Sequence, residues 1–128
     1  MIRIDIPATS ANLGSGFDSL GIALTMCNRV WLEEADELKI TTTDKIKVPT
    51  DETNLIYWAA RHLYQICGKT LPGLHIIQEN NIPMARGLGS SSACIVAGIL
   101  GANRLIGSPM SQSGLINLAA QIAGHPDH

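Results

Sequence analysis

Leu74-His75-Ile76-Ile77-Gln78-Glu79, then a break through Asn80-Asn81-Ile82-Pro83-Met84-Ala85-Arg86, then Gly87-Leu88-Gly89-Ser90-Ser91-Ser92 running into Ala93-Cys94-Ile95-Val96-Ala97-Gly98-Ile99-Leu100-Gly101-Ala102-Asn103-Arg104-Leu105-Ile106. The first six residues read as a strand, closed by Asn80-Asn81 and Pro83. The stretch from Ala93 to Ile106 is apolar all round and rich in small residues, the composition of a helix buried against a sheet, and Gly107 ends it. Between them the reading is a loop over 80–89 with three serines at the mouth of the helix. The first turn of a helix offers backbone N–H groups without internal partners. The macrodipole adds about half a positive charge at that end. Gly87 and Gly89 allow close backbone approach, and the serines add hydroxyls for phosphate oxygens or Mg²⁺. The combination is an anion cradle that needs no lysine.

It is neither of the two common phosphate motifs. The P-loop needs GxxxxGK[ST], and no Lys is present; a dinucleotide fingerprint needs a third Gly where Ser92 stands. Gly14-Ser15-Gly16 fails the same test at Ser19. The competing reading is a glycine turn with a serine N-cap. One serine suffices for a cap, and here there are three.

The rest of the chain supplies strands early and helices late, an α+β pattern and not a regular βαβ chain. Residues 2–6 alternate and stop at Pro7; residues 7–18 are small, polar and Gly-rich and read as a loop; Leu20 to Leu32 resembles a second strand. Glu33 to Glu37 reads as a solvated turn, Leu38 to Thr43 as a third strand, and Lys45 to Val48 as a short edge strand. A helix follows, capped by Thr53 or Asn54, with Leu55, Ile56, Ala59, Leu63, Ile66 and Cys67 on one stripe and Gly68 as its stop. Ser111 caps a last helix that turns Leu115, Leu118, Ala119 and Ile122 inward and stops at Gly124.

Composition excludes several classes. The 128 residues, 45% hydrophobic and 16% charged, suit one compact domain. With 9 Lys+Arg against 11 Asp+Glu and no basic run, nucleic acid is not an expected partner. No apolar run nears the ~18 residues of a membrane span, so no membrane partner is expected either. Cys27, Cys67 and Cys94 form no CxxC pair, which points to reduced, mostly buried thiols in a cytoplasmic protein.

Three motifs in order resemble one family. Pro83-Met84-Ala85-Arg86-Gly87-Leu88-Gly89-Ser90-Ser91-Ser92-Ala93 is similar to the ATP-binding signature of the GHMP kinases. Pro7 to Gly21, with Asn12 and Gly16-Phe17-Asp18 at its centre, resembles the N-terminal motif of the homoserine-phosphorylating branch, and Gly124-His125-Pro126-Asp127 resembles its third block. The resemblance implies a two-layer sandwich of mixed sheet and helices with a left-handed βαβ unit. It also implies that residues 1–128 are an N-terminal ATP-binding domain, incomplete and without the C-terminal domain.

The implied activity is transfer of the ATP γ-phosphoryl group to the side-chain hydroxyl of L-homoserine, giving O-phospho-L-homoserine on the route to threonine. Backbone groups from Gly87 to Ser92 would hold the triphosphate, a hydroxyl of Ser90 to Ser92, Ser91 by preference, would meet Mg²⁺, and Asn54 would lie near the adenine. Asn12, Asp18, His125 and Asp127 match positions around the amino acid, with Asp18 holding its ammonium or orienting the attacking hydroxyl. Read without the family, Asn12 and Asp18 are also turn-formers, His125 a surface residue after a helix stop, and Arg86 a phosphate ligand or a solvated side chain.

Two positions depart from the pattern: Ala123 stands where the family has a Glu ligand for Mg²⁺, and His128 where it has Asn. From the missing C-terminal domain, the expectation is a fragment with little activity alone, which exposes apolar surface and self-associates or pairs with a complementary C-terminal chain. The competing readings are a GHMP kinase for another alcohol and an inactive nucleotide-binding or interaction module.

Overall fold

The computed structural model describes residues 1–7, 27–43, 47–79 and 87–123. Four strands, β1 (Ile2–Pro7), β2 (Cys27–Glu34), β3 (Lys39–Thr42) and β4 (Leu74–Glu79), and three helices, α1 (Leu55–Ile66), α2 (Gly87–Leu105) and α3 (Gln112–Ala123), follow the α+β order read from the sequence. The sheet order is β1-β2-β4-β3. β1–β2 and β2–β4 are antiparallel, and β3 and β4 are parallel, so α1 is the crossover of a βαβ unit in a mixed sheet.

Strand parity builds the core. Ile4 and Ile6, Val30 and Leu32, Ile40, and Leu74 and Ile76 point to one face and are buried. Arg3 and Asp5, Glu33, and Lys39 and Thr41 point to the other and are exposed. The helices cover the first face only, giving two layers. Across the open face Arg29 pairs with Glu79 at 2.7 Å and reaches Asp5 at 3.8 Å, a surface ladder worth little on its own.

α1 buries Ile56, Tyr57, Ala59, Ala60, Leu63 and Tyr64. Ile66, expected on that stripe, lies in the last turn and is 53% exposed. Tyr64 donates its hydroxyl to Glu34 Oε1 at 2.9 Å, and burial and this contact together raise its phenol pKa. Gly68 (φ +73) and Gly107 (φ +88) end α1 and α2 in the left-handed conformation expected of C-terminal stops. α3 buries Leu115, Leu118, Ala119 and Ile122, and Ser111 Oγ accepts from the Gly114 amide at 3.2 Å. Asn103, buried, fastens the connection between α2 and α3 by exchanging hydrogen bonds with the Met110 backbone.

β2 runs on to Glu34, two residues past the expected end, because Glu33 and Glu34 pair with His75 and Leu74. Its expected start at Leu20 lies outside the described residues. Lys47 and Val48 carry no strand, and the first half of that expected edge strand is likewise outside.

Candidate functional site

The helix after β4 starts earlier than the sequence suggested. α2 begins at Gly87, so Gly87, Leu88, Gly89 and Ser90 make its first turn, and the serines are its fourth to sixth residues. Glycine reads as a helix breaker because it costs about 1 kcal/mol in a helix interior. In a first turn the amides have no intrahelical acceptor anyway. The unpaired N–H groups at this end of α2 therefore belong to the glycine turn and not to the serines.

Charge is arranged to match. The first turn of α2 holds no acidic residue, and Arg104 sits in its last turn. The positive end of the dipole meets no carboxylate of its own helix, while the negative end has the cationic Arg104 beside it.

Close packing fixes α2 in place. A Cβ on Gly98 would stand 2.4 Å from the carbonyl oxygen of Ile56 and 2.9 Å from Ala59 Cβ. One on Gly101 would stand 2.5 Å from Leu32 Cδ1. Ala93, Ile95, Ala97, Ile99 and Ala102 are buried along the same helix. Burial also pushes the Cys94 thiol up to about 11, which makes it a neutral packing group and not a nucleophile. Cys67 and Cys94 are both free and only partly buried, short of the burial expected of them.

At the start of α1 the candidate adenine residue, Asn54, is 2% exposed and fully engaged. Its Oδ1 accepts from the amides of Ile56 at 2.9 Å and Tyr57 at 3.4 Å. Its Nδ2 donates to the Pro49 carbonyl at 2.8 Å and to Gln78 Oε1 at 2.9 Å. An Asn side chain has two donor hydrogens and one acceptor oxygen with two lone pairs, and all are used. Asn54 thus caps α1 and ties it to the last turn of chain before β4 gives way to residues 80–86. Just ahead of it, the Thr53 hydroxyl and amide hydrogen-bond Asp51 and lower that carboxyl's pKa.

Gln78 was missed by sequence reading, although a signal existed: Leu74, Ile76 and Gln78 share parity, so a polar residue interrupts an apolar face. Asn28 breaks the parity of Val30 and Leu32 in the same way and is also buried. Because Val30 pairs with Gln78, both breaks fall at the end of the sheet where β4 leads toward α2.

Of the other residues proposed from sequence, Ala93 is buried in α2, and Gly87 to Ser92 form its opening turns. Ala123 is the last residue of α3. Asn12, Asp18, Pro83, Met84, Ala85, Arg86, His125 and Asp127 lie outside the described residues. Among the described residues no group of three or more His, Cys, Asp and Glu could hold a metal ion, and no helix is long and apolar enough to cross a membrane. Helix-start amides with no acidic residue in their turn are chemically suited to an anion. Among the described residues the position expected to supply a Glu ligand for Mg²⁺ is Ala123, which offers no ligating atom.

Comparison with known proteins converges on one family. The GHMP kinases N terminal domain matches residues 54–128. A homoserine kinase of Trichodesmium erythraeum is 49% identical over 132 residues, covering 99% of this chain and 43% of the relative. A Listeria monocytogenes structure assigned as a homoserine kinase superposes with TM-score 0.68 at 40% identity, covering 98% of this chain and 44% of that one. The homoserine kinase of Cytophaga hutchinsonii superposes with TM-score 0.69 at 28% identity, covering 94% and 40%. The chain thus spans somewhat under half the length of the relatives it matches. From the glycine-opened helix, the mixed sheet and these matches together, the chain belongs to the GHMP kinase N-terminal domain family.

Proposed function

We propose that this chain is the nucleotide-binding first part of a kinase that moves the ATP γ-phosphoryl group to the side-chain hydroxyl of L-homoserine, yielding O-phospho-L-homoserine, as its relatives' names indicate. The observation that carries the ATP half is the start of α2: a Gly-Leu-Gly-Ser first turn with no acidic residue, held by backbone-tight packing against α1. Residues Pro83 to Ala93 would wrap the triphosphate, with the Gly87 to Gly89 amides as donors. Asn54, its side chain already engaged, would shape the adenine side by fixing the start of α1 and the end of β4. Asn12, Asp18, His125 and Asp127 would surround the amino acid, with Asp18 orienting the attacking hydroxyl. Phosphoryl transfer asks mainly for positioning and charge stabilisation, which such a constellation can supply. The reduced thiols suit a cytoplasmic setting, and exposed Ile66 and Ile116 suit contact with a second copy or with a C-terminal chain.

Mg²⁺ would arrive on the triphosphate and meet Ser91, and no step here depends on a protein carboxylate for it. Ala123 favours a second reading, a nucleotide-binding module without turnover.

A chimera tests both readings. The chain is joined to the part of the Trichodesmium erythraeum relative beyond the aligned region, and ADP and phosphohomoserine are measured. Turnover with L-homoserine, raised by Ala123→Glu, is the expected result. ATP binding by calorimetry without turnover would support the module, and neither binding nor turnover would overturn the nucleotide reading.

A further inference from the structure

A polar cleft lies on the other side of α1 from α2. Its volume is about 230 Å³, and Glu52, Tyr57, Arg61, Gln65, Lys69 and Thr70 line it. Tyr57, Arg61 and Gln65 follow at four-residue spacing, so they share one flank of the helix. The flank against α2 is a different one, carrying Ile56, Ala59 and Ala60. Past Gly68 the chain reverses, and the Lys69 amide donates to the Tyr64 carbonyl at 2.8 Å, which seats Lys69 beside the last turn.

Three features of this cleft point to a ligand. Arg61 and Lys69 are both exposed, and among the described residues neither has an ion-pair partner. Tyr57 is only 8% exposed, yet among the described residues its hydroxyl has no hydrogen-bond partner, an arrangement that costs stability unless a bound group or water completes it. The one carboxylate in the lining, Glu52, precedes α1 and Lys69 follows it, so the two stand at opposite ends of the helix, and at the C-terminal end the Arg61 and Lys69 charges outweigh the half negative charge of the helix dipole.

We infer that this cleft is a second anion site, separate from the α2 start, that takes a small molecule bearing an oxyanion, carboxylate or phosphate. Arg61 and Lys69 supply the charge, and Tyr57, Gln65 and Thr70 supply neutral donors. Arg61 presents a planar fork suited to two oxygens of one group.

The test is an NMR titration of the 128-residue chain with sodium phosphate and, separately, sodium acetate, each at ionic strength held constant with NaCl. Saturable shifts at the amides of Arg61, Gln65, Lys69 and Thr70 are expected with at least one of the two anions, and the one that saturates names the ligand's headgroup. Arg61→Gln and Lys69→Gln should each weaken that binding about tenfold, and Tyr57→Phe, which keeps the ring, about threefold. Changes that merely follow NaCl would overturn the inference. So would shifts confined to residues 87–92, or saturation that survives both charge-removing variants.

Discussion

At the start of α1, Asn54 fills the amides of Ile56 and Tyr57 with its own side-chain oxygen; at the start of α2 the first turn is Gly87-Leu88-Gly89-Ser90, with no acidic side chain to meet the dipole. α3 resembles α1, with Ser111 accepting from Gly114. Helix starts that serve only the fold are closed from within by one polar side chain. A start meant for an external anion needs the opposite: amides left for the ligand, no competing negative charge, and no Cβ in the way. The two kinds of start are also mechanically linked, because Gly98 of α2 rests on the carbonyl of Ile56 in the first turn of α1.

That link is the place to break the arrangement. Gly98→Val would drive side-chain carbons into a backbone oxygen that stands 2.4 Å from the position of a Cβ. Overpacking against backbone cannot be relieved by a rotamer change, so the expected loss is about 3 kcal/mol or more. Urea unfolding measures it, and a midpoint within error of the parent would mean that α2 is not seated as described.

The closed start comes next. Asn54→Ala removes a cap and strands Gln78 Oε1 and the Pro49 carbonyl in a buried setting, an expected cost of about 2–3 kcal/mol. Asn54→Asp separates the two roles. It keeps the capping oxygen, adds favourable charge at a helix start, and loses both donors. If capping dominates, Asp recovers most of the stability; if the tether to β4 dominates, Asp is as damaging as Ala. Calorimetric ATP titration of both variants then reports whether the start of α1 supports the start of α2.

Cys94 gives a pH-dependent probe of how dry α2 is just past its opening turns. Burial raises the thiol from 9.0 to about 11 in the folded chain. A folded-state pKa above the unfolded one means that the neutral thiol's contribution is whole below pH 9 and is lost as pH climbs toward 11. The expected loss over that window is about 3 kcal/mol. Cys94→Ala should flatten the curve of unfolding free energy against pH between 9 and 10. Tyr64, whose phenol is raised by burial and by Glu34, adds its own loss only above pH 10. A parent curve already flat from pH 8 to 10 would mean that water reaches Cys94.

Much of this was legible in the sequence where the signal is local. The bounds of β4 were read to the residue, because the run from Leu74 to Glu79 is closed by Asn80-Asn81 and Pro83. The Ser111 cap and the four inward residues of α3 followed from spacing alone. The start of α2 was not legible, since glycine signals a break in the interior and costs little in a first turn. Nor was the Asn54–Gln78 bond, whose partners are 24 residues apart and show no local pattern beyond the parity break. The sheet order β1-β2-β4-β3 is likewise set by long-range pairing. Of the candidate site, the Gly-Ser run that opens α2 was visible, whereas the engagement of Asn54 needed coordinates.

The smallest effect discriminates most sharply between a cap and a ligand site. Ser111→Ala removes a side chain that holds an amide of α3, and about 1 kcal/mol of stability should go with it. If Ser90, Ser91 and Ser92 were caps, alanine there would cost the same. They are instead the fourth to sixth residues of α2, positions where alanine is the better helix former by about 0.5 kcal/mol. Ser91→Ala is therefore expected to leave the chain as stable as the parent or slightly more so, while ATP binding weakens. A serine that can be removed at no cost to folding but at a cost to nucleotide affinity is held there by the ligand. A Ser91→Ala chain destabilised as much as Ser111→Ala, with ATP binding unchanged, would return the Gly-Ser run to an ordinary helix start.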